Sequence, residues 1–488
     1  MPKWLTKSKY LNGLQCPKLL WLTVNEPERV PAPDAATQQL FDQGRIIGEF
    51  ARQLFPEGIK VPYEDFLSNI RTTKKLLQQR KPLFEAGVRA GRIYTRLDIM
   101  LPTEHNNWDI VEVKSATSIK DVNLDDIAFQ KLVCEENNIP IHRCYLIYIN
   151  NKYVRHGEVN PEELFVMTDV SKDVFAKEDG IRKRVMSMFN IIDSKPCPDI
   201  SIGPHCSEPY ECRLEECWGN LPENNVFTLY KGGSKSWDLY RSGVADISCI
   251  PEGFPLNEKQ QIQVNGVQRG EVHIDVEQIQ EFLSSIVYPL YCLDFETIGP
   301  AVSLFDNSRP YQNIPFQYSL HVQASPCSRR RHYAFLAEGQ NDPRPALLKK
   351  LRKEIGSEGT VLAYNKSFEE HVLRESADAF PEYAGWVENV TGRMVDLIVP
   401  FRSFAYYNPS QQGSASLKKV LPAVTGKSYT GMDIAEGGEA SRRFLDIMFG
   451  DASPEEVQQT RKALLKYCGQ DTLGMVWIVE KLRKLVGV

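Results

Sequence analysis

Apolar positions follow two rhythms along this chain, and the changes between them mark its elements. Helical spacing runs over residues 7–22 and 37–55, with polar residues on the opposite face. Short apolar runs at 84–88, 93–100 and 108–114 predict strands. A helix over 124–137, a buried strand over 144–149 and a long helix over 171–192 complete a first zone of mixed α/β order, residues 1–218. Residues 219–288 carry Gly232-Gly233, Pro251 and Pro255 with few long periodic stretches, and read as a small connector domain. The third zone, 289–488, predicts strands at 290–297, 316–324 and 332–336, a helix over 345–355 and a strand at 361–364. A helix from Ser367, a short strand at 394–398 and a final helix over 454–485 follow.

Length and composition narrow the class. At roughly 150 residues per domain, 488 residues suggest about three folded units. With 42% hydrophobic and 25% charged residues, the chain is neither disordered nor fibrous. A net charge of -5 gives no bulk attraction for a polyanion, so nucleic-acid binding would need local basic or metal-loaded patches. No apolar segment follows Met1 and no run reaches the roughly 18 residues of a membrane span, so the expectation is a cytoplasmic protein with no membrane partner. Eleven cysteines in a reducing compartment then argue for metal binding or burial rather than a disulfide framework. Cys134, Cys144, Cys249, Cys292 and Cys468 lie in apolar surroundings and read as small buried hydrophobes.

Candidate chemistry begins in the third zone. Tyr291-Cys292-Leu293-Asp294-Phe295-Glu296-Thr297 places Asp294 and Glu296 on one face of a strand, where two acids repel unless a cation sits between them. Hard divalent ions take oxygen ligands, and a pair of them stabilises both oxygens of a phosphoryl displacement. Glu369 lies just beyond a second strand, and Tyr467 and Asp471 fall four apart on one face of the last helix. Three early strands followed by alternating helices and strands fit an RNase H-like domain. The whole zone resembles the DEDD exonucleases, the DnaQ-like branch of that fold. By that resemblance Asp294, Glu296, Glu369 and Asp471 would hold two Mg2+ or Mn2+ ions, and Tyr467 would orient or help deprotonate the attacking water. Glu369 stands where that family usually has Asp. Asp396, beside a strand, reads as a supporting or structural acid. The polar segment 412–419, with Lys418 and Lys419, suits either a phosphate or a plain capped surface helix.

A second constellation lies in the first zone. Segments 96–100 and 108–114 read as a β-hairpin with Asp98 on one strand and Glu112 and Lys114 on the other. Asp98 and Glu112 would hold an ion while the Lys114 ammonium stabilises charge or lowers a bound water's pKa. Charges set among Ile110, Val111 and Val113 need a purpose, because isolated charge burial is expensive. The segment resembles the RecB-like branch of the PD-(D/E)XK nucleases, with a restriction-endonuclease-like fold implied. In this resemblance Gln130 matches the branch's Gln-x-x-x-Tyr helix, with Cys134 in the Tyr place, Glu85 falls where an upstream acid often lies, and Gly48 stands at the place of a metal-binding His.

Cys206, Cys212 and Cys217 follow one another at Cys-x5-Cys-x4-Cys spacing, and Cys16-Pro17 lies far upstream. Four thiolates can hold zinc or an iron-sulfur cluster, and paired Cys-x2-Cys knuckles are missing. Iron-sulfur members of the RecB-like nucleases clamp a 4Fe-4S cluster with one N-terminal and three C-terminal cysteines. Cys16, Cys206, Cys212 and Cys217 match that layout, with Cys197 as an alternative fourth ligand and zinc as the alternative metal.

The full arrangement, a RecB-like iron-sulfur nuclease joined to a DnaQ-like domain, resembles a prokaryotic family, largely uncharacterised, whose C-terminal part is catalogued as a domain of unknown function. It implies a metal-dependent nuclease acting on nucleic acid, DNA placed ahead of RNA, with a 3'-to-5' exonuclease-like C-terminal site. A helicase or other repair or defence protein is a further candidate partner. Two alternatives stay open, an RNA exonuclease and a nucleic-acid-binding scaffold with degenerate nuclease sites and a structural cluster.

Overall fold

The computed structural model of the chain describes residues 3–326 and 328–488. They divide into two compact units, Met1–Asn220 together with Pro300–Tyr311, and Leu221–Gly299 together with Gln312–Val488. Each is mixed α/β. Among the described residues no helix is long and apolar enough to cross a membrane.

A seven-stranded sheet forms the frame of the first unit. Its strands in chain order are β1 (Leu5–Thr6), β2 (Ile59–Lys60), β3 (Leu83–Ala90), β4 (Ile93–Pro102), β5 (Trp108–Val113), β6 (Ile141–Ile149) and β7 (Phe165–Asp169). Across the sheet they run β2-β3-β4-β5-β6-β7, and β1 pairs beside β4. β3, β4 and β5 are antiparallel neighbours, whereas β5 and β6 are parallel and are connected through the helix Asp121–Glu136. Successive residues of β5 and β6 enter opposite cores. Leu97, Ile110 and Leu146 pack on one face with Ile127, Val133 and Val185, and Ile99, Val111 and Ile147 pack on the other with Ile47, Ala51 and Val302. Both faces are covered, which is why β5 and β6 read as nearly continuous apolar runs. The segment Pro300–Tyr311 belongs to this unit through Val302, through Arg155 Nη1, which donates to the carbonyls of Ser303 and Leu304 at 2.8 Å, and through the Tyr311 hydroxyl, which donates to Ser115 O at 2.7 Å.

Two expected helices are each broken. The segment 7–22 forms Lys7–Gln15 and Pro17–Asn25, with Cys16 extended between them at φ -155°. Pro17 has no N–H to continue a helix and its ring pushes the preceding residue out of the α region. The segment 171–192 forms Ser171–Phe175 and Glu178–Asp193. Lys177, in the turn between them, reaches Asp121 at 2.9 Å and Asp125 at 3.1 Å, so the turn is anchored to the helix Asp121–Glu136.

The second unit begins with a small cluster of Val226, Leu229, Leu239, Ile247, Ile250 and Val264, built on helices Ser234–Arg241 and Glu258–Arg269. A two-stranded ladder of β8 (His273–Ile274) follows; its partner strand arrives later in the chain. The five-stranded sheet contains β9 (Leu290–Ile298), β10 (Ile314–Gln323), β11 (Arg331–Leu336), β12 (Thr360–Ala363) and β13 (Met394–Asp396), and β14 (Tyr406–Tyr407) completes the ladder with β8. Its order is β11-β10-β9-β12-β13; β11, β10 and β9 are antiparallel neighbours, and β9, β12 and β13 are parallel.

The long helix Pro454–Val486 starts in a capping box between Ser453 and Glu456 and stops at Gly487, whose φ of 76° suits glycine. Side-chain bonds fix it on β10. Gln317 Nε2 donates to Leu464 O at 2.8 Å, the Ser319 and Thr472 hydroxyls share a hydrogen bond of 2.7 Å, and His321 Nδ1 lies 2.8 Å from Thr472 Oγ1. Those bonds set the rotation of the helix beside Asp471.

Candidate active sites

β9 builds the first site by simple alternation. Leu293 and Phe295 enter the core of the second unit, so Asp294 and Glu296 project from the opposite face. Glu369 joins them from the helix Ser367–Ala379, which begins just past the end of β12. The long C-terminal helix adds Tyr467, Cys468 and Asp471, all buried.

One oxygen each of Asp294 and Glu296 and the sulfur of Cys468 lie within 4.8 Å of one another. Cys468 Sγ is 3.4 Å from Asp294 Oδ2 and 3.7 Å from Asp294 O. Tyr429 donates its hydroxyl hydrogen to Asp471 Oδ1, and its ring centroid is 6.2 Å from that of Tyr467. Glu369 is 2% exposed, and its Oε2 has no hydrogen-bond partner among the described residues.

Four carboxylates therefore cluster, Glu296, Glu369 and Asp471 buried and Asp294 half-buried. Burial first, then mutual repulsion, pushes Asp294, Glu296 and Glu369 well above the usual carboxylate range. Burial also raises Asp471, to about 7, although the Tyr429 hydrogen bond and the Lys418 charge pull it down. Lys418 is the cation felt by both Glu296 and Asp471, and it projects from the helix Leu417–Thr425. Its neighbour Lys419 turns instead to Gln412 Oε1 at 2.6 Å, so the two lysines of segment 412–419 have different partners. Burial and the surrounding acids also raise the Tyr467 hydroxyl. Asp396 accepts the backbone N–H groups of Asn365 at 2.9 Å and Ile398 at 3.0 Å, which ties the end of β12 to the residues after β13.

The second site lies in the first unit, where buried Glu112 of β5 bonds Lys7 and Lys114, which with Tyr63, Arg96, Asp98 and Asp126 line a cavity of about 400 Å³. Glu112 Oε1 accepts from Lys114 Nζ at 2.5 Å and from Lys7 Nζ at 2.8 Å, while Oε2 accepts from Gln130 Nε2 at 2.7 Å. Lys114 also donates to Asp126 Oδ2 at 2.7 Å, and Gln130 donates to Asp126 Oδ1 at 3.1 Å. Against its burial, Lys114 and Lys7 hold Glu112 well below the usual carboxylate range. Asp98 behaves oppositely: burial and the Glu112 charge push it up to about 7, against the Val113 N–H that donates to its Oδ2 at 2.9 Å.

Asp98, Glu112, Lys114 and Gln130 are thus brought together as the sequence pattern places them. Lys7 and Asp126 had no assigned role. Asp126 stands four residues before Gln130 on one helix face, a spacing that carries the signal. Lys7 opens the first helix and is delivered by the tertiary path alone. Glu85 sits at φ 59° inside β3, between the paired residues Phe84↔Ile99 and Ala86↔Leu97, and is therefore strained backbone beside Asp98. Its carboxylate pairs with Arg52 at 2.6 Å and Arg96 at 2.8 Å. Cys134 is fully buried in the core, and a side chain at Gly48 would meet nothing within 4 Å.

The cysteines converge near the start and end of the first unit. Cys16 is 5% exposed in an apolar cluster with Leu19, Trp21, Leu22 and Leu214, against which Cys197, Cys212 and Cys217 pack. Cys212 N–H donates to Cys206 O at 2.7 Å, and burial followed by the charges of Cys16 and Cys217 raises the Cys206 thiol. Gln15 Nε2 fastens the first helix to this loop by donating to His205 O at 3.0 Å and to Tyr210 O at 2.5 Å.

Residues 291–416 match a family model described as a domain of unknown function, DUF2779. The matched stretch includes Asp294, Glu296, Glu369 and Asp396. The chain is also 27% identical over 212 residues to "Uncharacterized protein MG366" of Mycoplasma genitalium, covering 40% of this chain and 32% of that protein. It is 25% identical over 215 residues to "Uncharacterized protein UU173" of Ureaplasma parvum, covering 40% and 31%, and 28% identical over 204 residues to the "Uncharacterized protein MG366 homolog" of Mycoplasma pneumoniae, covering 38% and 31%. The chain spans about a third of the length of these curated relatives.

Proposed function

We propose that the chain is a metal-dependent nuclease that hydrolyses phosphodiester bonds of DNA, with a 3'-to-5' exonuclease-like site in the second unit and a RecB-like site in the first. The observation that carries this reading is the cluster of four carboxylates, half-buried Asp294 and buried Glu296, Glu369 and Asp471, with the Lys418 charge acting on Glu296 and Asp471. Such a set is costly without cations. The donors are all hard oxygens apart from Cys468, which suits Mg2+ or Mn2+. When bound, two such ions supply a polarised water and stabilise the leaving oxygen. Asp294, Glu296, Glu369 and Asp471 hold them, Tyr429 holds Asp471, and Tyr467 orients the attacking water.

The order β11-β10-β9-β12-β13, with three antiparallel neighbours and then a parallel pair, supports an RNase H-like, DnaQ-like assignment for this unit. The meander β3-β4-β5 with parallel β6, and the Asp98, Glu112, Lys114 and Gln130 constellation on it, supports the PD-(D/E)XK assignment for the other. There Asp98 and Glu112 hold the ion and Lys114 stabilises the developing charge. Cys16, Cys206, Cys212 and Cys217 hold a 4Fe-4S cluster that staples the two ends of the unit, with zinc as the alternative occupant.

The test compares wild-type protein with Asp294→Asn and Lys114→Ala on end-labelled single- and double-stranded DNA and RNA, with Mg2+ or Mn2+. Loss of end-to-end degradation in Asp294→Asn supports the exonuclease site. Undiminished degradation in both variants overturns the two-site reading, and turnover on RNA alone replaces DNA as the substrate.

A further inference from the structure

Cys468 reads from sequence as an apolar residue, yet its sulfur lies among the acids. We propose that Cys468, Asp294 and Glu296 form a site for one thiophilic divalent cation of the zinc–cadmium class, which competes with the hard ions of the nuclease reading and regulates the second unit. The inference rests on that reading only for what the soft ion displaces.

Geometry supports it. Tetrahedral coordination with a metal–sulfur bond of about 2.3 Å and a metal–oxygen bond of about 2.0 Å sets sulfur and oxygen roughly 3.5 Å apart. Cys468 Sγ and Asp294 Oδ2 are 3.4 Å apart, and the Glu296 oxygen lies within 4.8 Å of both ligand atoms. Independently, Glu369 on another helix interacts electrostatically with Asp294 and Glu296, and its Oε2 is buried without a hydrogen-bond partner among the described residues, an oxygen still in want of a cation or donor. The thiol hydrogen now occupies the line from Sγ to Asp294 Oδ2. A bound ion takes its place, forming the metal–sulfur bond while the proton leaves to solvent. Thiolate favours zinc or cadmium over magnesium, so the sulfur discriminates where the carboxylates do not.

The test uses the full chain as wild type, Cys468→Ser and Cys468→Ala, with Cys16, Cys206, Cys212 and Cys217 intact in all three. Cadmium stoichiometry is measured by equilibrium dialysis together with the ultraviolet thiolate-to-cadmium band, and Mn2+ binding by electron paramagnetic resonance. The expected result is one more cadmium ion in wild type than in whichever variant folds, with the extra ion accompanied by the thiolate band and by release of Mn2+. Equal cadmium binding and equal spectra in wild type and the folded variant overturn the proposal. Absence of Mn2+ binding in all three proteins, with the cadmium difference intact, overturns the hard-ion nuclease reading and leaves the soft site standing.

Discussion

Tyr429 donates its hydroxyl hydrogen to Asp471 Oδ1 from a segment with no regular element, 42 residues upstream of the acid it serves. The bond favours the charged carboxylate in a place where burial favours the neutral one. Replacing Tyr429 by Phe removes the donor and keeps the ring. Asp471 should then bind its proton more tightly, and affinity for Mn2+ should fall about 10- to 100-fold, the usual cost of losing a partner that orients a metal ligand. Titration of the metal against Tyr429→Phe and wild type checks this, and unchanged affinity would remove Tyr429 from the site.

The acids of the second unit set an unusual pH dependence. A carboxylate whose folded pKa lies above its unfolded value keeps its proton longer in the folded state, so stability falls as pH rises between the two values. Asp471, raised to about 7, places this window between about pH 4 and about pH 7, and Asp294, Glu296 and Glu369 act in the same direction. In chelator the melting temperature of the second unit should therefore drop from pH 5 to pH 8. Saturating Mn2+ should remove most of that drop, because the ion binds the ionised form. A chelated protein more stable at pH 8 than at pH 5 would contradict the clustering of these acids.

Lys7 and Lys114 both donate to Glu112 Oε1, so the first site carries its own cations. Lys7→Met leaves Glu112 and Asp126 with one ammonium between them. Its side chain is 25% exposed, so the destabilisation should be modest for a buried pair, roughly 1–3 kcal/mol. Divalent-ion affinity should rise at the same time, since Lys7 no longer competes for the acids. Denaturant melts with and without Mn2+ separate the two effects, and a variant that loses both stability and metal affinity would make Lys7 a support for the ion rather than its competitor.

Much of this was legible in the chain, and the exceptions have physical causes. Asp294 and Glu296 were visible because a strand has period 2, and Asp471 with Tyr467 because a helix brings residues four apart together. The final helix stood out through its long periodicity. The break at Cys16 was written in Pro17 but outweighed by an apolar pattern that continues across it. Cys468 was classed by its apolar neighbours, although Leu464, Cys468 and Thr472 follow at helical spacing and point to the same sheet. Tyr429, Lys7 and the excursion of Pro300–Tyr311 into the first unit leave no local trace, because each is placed by the path of the chain rather than by periodicity.

The cysteine cluster offers the most direct measurement. Cys16 stands between two helices with extended backbone, in an apolar cluster against which Cys197, Cys212 and Cys217 pack from the distant end of the unit. Anaerobically purified protein should contain iron and sulfide in the ratio of a 4Fe-4S cluster and absorb broadly in the visible. Cys212→Ser should bleach it, and the first unit should melt at lower temperature, because the ligand bridge from Cys16 to Cys206 closes a long loop and its loss restores freedom to the unfolded chain. Cys197→Ser distinguishes the alternatives for the fourth ligand: retained colour leaves Cys16 in that role, and bleaching moves Cys197 into it. Colourless protein carrying one zinc ion would replace the iron-sulfur cluster while keeping the thiol site.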